Sequence, residues 1–107
     1  MEKENSNTPD TETARLHAVI SGLVQGVGFR AYVQSIATGM DLTGWVRNTE
    51  EGDVEVVLEG SLPTLVQMLK LLHRGPRAAR VITVQEAWEP ATGQFQYFSI
   101  RPTGYDR

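Results

Sequence analysis

The sequence predicts an α+β sandwich, with two helices on one face of a mainly antiparallel sheet. Three observations carry this. Short β-branched runs recur between glycine- and proline-rich punctuation. Two other stretches place their apolar residues at helical spacing. Two of the β-like runs are separated only by a short polar turn and read as a hairpin. The chain has 107 residues, 40% apolar and 21% charged. That is enough for one domain with a real core, since a chain of this size buries about two-thirds of its unfolded surface.

Residues 16–24 are apolar, β-branched and short, and predict a first strand. Gln25-Gly26-Val27-Gly28 breaks that run. Phe29, Val33, Ile36, Ala37 and Met40 follow at helical spacing, predicting a helix over 29–40. Residues 42–48 form a second expected strand. Glu50-Glu51-Gly52-Asp53 is a turn. Beyond it Val54, Val56 and Leu58 alternate with Glu55, Val57 and Glu59, marking a strand with one buried face. Ser61 is placed to N-cap a second helix, with Pro63 tolerated in its first turn. Leu65, Met68, Leu69 and Leu72 supply that helix's apolar stripe, and Gly75-Pro76 ends it. Residues 81–87 read as a fourth strand, 89–93 as a loop and 96–101 as a short last strand. Strand, helix, two strands, helix and strand, joined by right-handed crossovers, give the split-βαβ, ferredoxin-like sandwich with an extra C-terminal strand.

Charge and composition narrow the function. Residues 1–14 hold four acids and one base, which accounts for the whole formal charge of −3. The remaining 15–107 balances nine acids with nine bases. The expected organisation is therefore a flexible acidic tail over 1–14 and a neutral domain over 15–107. A neutral body lacks the basic footprint of a nucleic-acid binder. The strands 16–24 and 54–58 also lack the aromatic residues with which open sheets stack RNA bases. The absence of cysteine removes thiolate ligands, disulfides and a cysteine nucleophile, and it favours a reducing, cytoplasmic setting. With two histidines, His17 and His73, no metal site is expected. No apolar run approaches the length of a membrane span, so no membrane partner is expected.

The most informative segment runs from Gly22 through Gln25-Gly26-Val27-Gly28-Phe29 to Arg30. A strand feeds a loop with two glycines, and a helix starts at once. Glycines let the backbone turn tightly and aim several N–H groups into one concavity. The helix start adds unsatisfied N–H groups and partial positive charge. Arg30 falls in the first helical turn, where a cation is disfavoured unless an anion shares the site. Its planar fork can hold two phosphate oxygens at once. The plainer alternative is a glycine turn followed by a solvated arginine. A dinucleotide fingerprint, Gly26-x-Gly28-x-x-Ala31, is also matched in form. The next strand, however, turns into a hairpin instead of continuing a parallel series, and the body is too small for that fold. From Ser21 to Gln34 there is no His, Asp or Glu. Chemistry here would therefore suit a leaving group that needs no protonation. Asn48 precedes a hairpin turn, where Asn is common for backbone reasons.

Val24-Gln25-Gly26-Val27-Gly28-Phe29-Arg30, together with Gly44-Trp45-Val46-Arg47-Asn48 and Glu51-Gly52-Asp53-Val54-Glu55, resembles the acylphosphatase family. The resemblance spans nearly all of 15–101. It departs at Met40-Asp41-Leu42, where the family more often has a Leu-Gly-Leu-like run. It implies the ferredoxin-like fold and hydrolysis of an acyl phosphate to a carboxylate and inorganic phosphate, with no metal or cofactor. Carried over, the backbone N–H groups of Gln25, Gly26, Val27, Gly28, Phe29 and Arg30, with the Arg30 guanidinium, would hold the phosphoryl oxygens. Asn48 would hold the attacking water. Arg30 and Asn48 are then the catalytic pair, and Trp45 and Arg47 have no site role. The expected partner is a small-molecule acyl phosphate, acted on by a monomer. The alternative is a non-catalytic module that binds an anion or a carbamoyl phosphate-like acyl phosphate.

Overall fold

The computed structural model describes residues 12–104; residues 1–11, and with them most of the acidic tail, lie outside the described residues. The elements are β1 (Thr13–Leu23), α1 (Phe29–Gly39), β2 (Thr43–Asn48), β3 (Val54–Ser61), α2 (Leu62–Arg74), β4 (Arg80–Glu89) and β5 (Phe98–Ile100). They form one five-stranded sheet in the order β4-β1-β3-β2-β5. The first four strands pair antiparallel, and β5 lies parallel to β2. This is the ferredoxin-like sandwich with one short added strand.

The alternation read from sequence builds the core. Leu16, Ala18 and Ile20 of β1 are buried on one face together with Val54, Val56 and Leu58 of β3 and Val46 of β2. Phe29, Val33 and Ala37 of α1 and Leu65, Met68 and Leu72 of α2 close over them. Burial of these side chains supplies the dominant favourable term in folding. Tyr32 joins the two helices by donating its hydroxyl to the Leu71 carbonyl at 2.8 Å.

Several boundaries differ from expectation, each for a tertiary reason. β1 begins at Thr13, so Thr13 and Ala14 belong to the sheet and not to the tail. β3 runs on to Ser61 and offers them pairing partners in Ser61 and Gly60. Ser61 stands at the N-cap of α2, but its hydroxyl donates to Thr64 Oγ1 at 2.7 Å and not to a backbone N–H. β4 extends over ten residues because β1 pairs with it as far as Arg15↔Glu89. β5 shrinks to three residues, since Phe98, Ser99 and Ile100 are the residues in paired register with β2. α1 ends in a Schellman arrangement: Leu42 N–H donates to the Ala37 carbonyl at 2.9 Å and Asp41 N–H to Thr38 at 3.2 Å. Asp41 takes the left-handed position there, with φ of 59°.

The face of the sheet away from the helices is not simply open. Val57 and Glu59, expected on the solvent side of β3, are buried. The loop after β4 folds back over Glu59. Thr92 N–H and Gly93 N–H donate to its carboxylate at 3.0 and 2.9 Å, as does the Thr92 hydroxyl at 2.8 Å. Arg15 Nε lies 3.1 Å from the same carboxylate.

Candidate active site

The turn from β1 into α1 is set by two left-handed glycines. Gly26 has φ of 74° and Gly28, the N-cap of α1, φ of 82°. An added Cβ would meet no neighbour within 4 Å at either position. The glycines are therefore required by backbone conformation and not by crowding, and the space in front of them stays open. The first helical bond runs from Tyr32 N–H to the Gly28 carbonyl at 3.0 Å. The N–H groups of Phe29, Arg30 and Ala31 precede that bond and have no intrahelical acceptor. No acid occupies the first turn of α1.

Across from the loop, β2 ends at Asn48. Five hydrogen bonds hold that strand end. Gln25 Nε2 donates to the carbonyls of Thr49 and Asp53, each at 2.8 Å, and so ties the glycine loop to the β2–β3 hairpin. The hairpin closes on itself through Thr49 N–H to the Asp53 carbonyl at 2.9 Å. On the other side, the chain beyond β5 runs alongside: Arg101 N–H donates to the Val46 carbonyl and Gly104 N–H to the Asn48 carbonyl, at 2.9 and 3.2 Å. Asn48 is thereby fixed by its main chain.

Between them lies a depression of about 250 Å³ lined by Gly26, Gly28, Arg30, Asn48, Ala31 and Ile100, with Val24 and Phe29 at its base. Among the described residues no acid pairs with Arg30. Two arginines of the sheet are paired instead, Arg15 with Glu59 and Glu89, and Arg47 with Glu55 at 2.8 Å. Arg30 thus brings an uncompensated positive charge to a rim of backbone N–H donors, a setting that favours an anion.

Glu55 and Glu59 belong to the opposite face of the sheet. Burial works to raise the Glu55 carboxyl, but hydrogen bonds and charge from His17 and Arg47 outweigh it and hold it below the usual value. His17 Nε2 lies 2.7 Å from Glu55 Oε2. For Glu59, burial is likewise outweighed by the Thr92 and Gly93 donors and by Arg15. The Trp45 ring is met by the guanidinium groups of Arg47 and Arg101, 5.1 and 4.7 Å from its centroid.

Of the residues singled out in the sequence, Gly26, Gly28, Phe29, Arg30 and Asn48 come together at the depression. Phe29 is buried, so only its main chain is available there. Gln25 and Val27 do not line it. The Gln25 side chain is turned into the hairpin, and Val27 packs against the core. Ile100 and Ala31 line it without having been expected. Ala31 follows Arg30 directly and could have been found from the helical turn. Ile100 arrives through the parallel pairing of β5 with β2, which leaves no local signature in the sequence.

Fold and depression together define a class: a ferredoxin-like sandwich with a glycine-loop concavity at the start of its first helix, faced by an asparagine at the end of its second strand. The acylphosphatase family model matches residues 16–100, and this chain belongs to the acylphosphatase family. It is 44% identical over 87 residues to an acylphosphatase of Salinibacter ruber, covering 81% of this chain and 92% of that one. The crystal structure of acylphosphatase from Bacillus subtilis superposes with a TM-score of 0.80 at 31% identity, covering 82% of this chain and 98% of that one. A structure of HypF from T. kodakarensis superposes with a TM-score of 0.70 at 30% identity, over 80% of this chain but 11% of that one.

Proposed function

We propose that this protein hydrolyses acyl phosphates by direct attack of water on phosphorus. The supporting observation is the joint lining of one depression by Arg30, the glycine loop and Asn48. The main-chain N–H groups from Gln25 to Arg30 and the Arg30 guanidinium hold the phosphoryl oxygens. The Asn48 amide orients a water toward phosphorus. The water oxygen bonds to phosphorus, the bond from phosphorus to the acyl oxygen breaks, and the carboxylate leaves with the bonding pair. The water's proton passes to a phosphoryl oxygen of the substrate. A carboxylate is a good leaving group, so the lack of an acid in the loop is no obstacle. Positioning and charge stabilisation supply the rate.

The finer reading is a monomer in the cytoplasm that acts on a small molecule and releases inorganic phosphate, with neither nucleic acid nor membrane as partner. Its support is compositional: a cysteine-free chain whose body is charge-neutral. No helix among the described residues is long and apolar enough to cross a membrane. Turnover of benzoyl phosphate by the purified protein in excess EDTA tests the proposal. Sustained release of phosphate is the expected result. Phosphate binding without turnover would replace the hydrolase with a non-catalytic binding module.

A further inference from the structure

The lining of the depression combines two unlike chemistries. The glycine loop, Arg30 and Asn48 are polar, whereas the Ile100 and Ala31 side chains are apolar. Ile100 pairs in register with Val46, whose side chain lies on the helix-bearing face of the sheet. By the two-residue period of a strand, Asn48 is on that face too. Phe98, two residues before Ile100 on the same face, is buried in the core at 6% exposure, whereas Ile100 is 38% exposed. The side chain of Ile100 is therefore a large apolar surface left open at the rim, on the Asn48 side of the depression. The volume of about 250 Å³ exceeds what a phosphoryl group alone fills.

We propose that Ile100 is a specificity-determining residue, forming the wall that receives the acyl part of the substrate and favouring acyl phosphates with an apolar acyl group. This rests on the hydrolase reading above. With the phosphoryl group against the loop and Arg30, the remainder of the substrate must leave through the open rim. An aromatic or alkyl acyl group there removes its own apolar surface and that of Ile100 from water. A carbamoyl group would instead have its amide desolvated against a side chain that offers no partner. An acetyl group is too small to cover the surface.

The test compares kcat/KM for benzoyl phosphate and acetyl phosphate in the unsubstituted protein, Ile100→Ala and Ile100→Leu, with the inhibition constant of inorganic phosphate and a melting curve for each. The ratio of benzoyl to acetyl kcat/KM is expected to fall about five-fold in Ile100→Ala, near the low end for losing one apolar contact in a specificity pocket, because the residue is partly exposed. The phosphate constant should stay unchanged, and Ile100→Leu should keep the ratio. A ratio unchanged in Ile100→Ala, or an equal loss on both substrates, would overturn the role of Ile100 while leaving the hydrolase standing. No turnover of either substrate by the unsubstituted protein would overturn the hydrolase reading itself.

Discussion

Arg30 and Asn48 line one depression but meet different demands, so their losses should look different. In the proposed mechanism Arg30 offers charge and a two-pronged fork to the phosphoryl group in the ground state and the transition state alike. Arg30→Ala should weaken inhibition by inorganic phosphate as well as turnover. Arg30→Lys should not restore either, because a point charge does not reproduce the fork. In the same mechanism Asn48 acts on the water. Asn48→Ala should lower kcat by about 10²-fold, the scale of losing one preorganised polar group, while the phosphate inhibition constant stays near that of the unsubstituted protein. Both residues are half-buried and lie outside the core cluster, so both variants should melt as the parent does. An Asn48→Ala variant with full kcat would remove the water-orienting role.

At the scale of elements, the loop before α1 and the β2–β3 hairpin are coupled by the Gln25 side chain, whose amide donates to the Thr49 and Asp53 carbonyls. Gln25→Ala removes both donors from carbonyls that keep other partners, a loss of about 1 kcal/mol. Gln25→Glu sets a carboxylate against two carbonyl oxygens and should be less stable than the alanine variant at neutral pH. Urea melts of the two variants decide this; a glutamate variant as stable as the alanine one would contradict the clamp. The elements themselves were legible because their signals are local. Alternation in Val54, Val56 and Leu58, helical spacing in Leu65, Met68 and Leu72, and the left-handed glycines 26 and 28 each declare a conformation within a few residues. The tail-side start of β1, the three-residue length of β5 and the turned-in side chain of Gln25 depend on partners 24 to 54 positions away, as does the placement of Ile100, which pairs with Val46. No local pattern encodes these contacts. It is the family resemblance that singles out Arg30 and Asn48 as a pair; spacing alone leaves Asn48 open as a turn residue.

On the whole molecule, the helix-free face of the sheet carries an acid-sensitive set of contacts, separate from the site. Glu55 and Glu59 are both held below their ordinary value of 4.5 in the folded chain. The unfolded chain therefore binds their protons more readily. Their contribution to stability is fully present above the ordinary value and fades as pH falls through the lowered folded values. Melts across that range should show Glu55→Gln losing less stability on acidification than the unsubstituted protein, and an identical pH slope would show that Glu55 is not part of the cause. The site on the other face poses the central question, which is where water attacks. If the loop and Arg30 hold the phosphoryl group while Asn48 aims a water at it, the bond that breaks is the one between phosphorus and the acyl oxygen. Hydrolysis of benzoyl phosphate by this protein in water enriched in oxygen-18 reads that bond directly. The arrangement predicts the label in the released phosphate and none in the benzoate; label in the benzoate would mean attack at the carbonyl carbon and would contradict it.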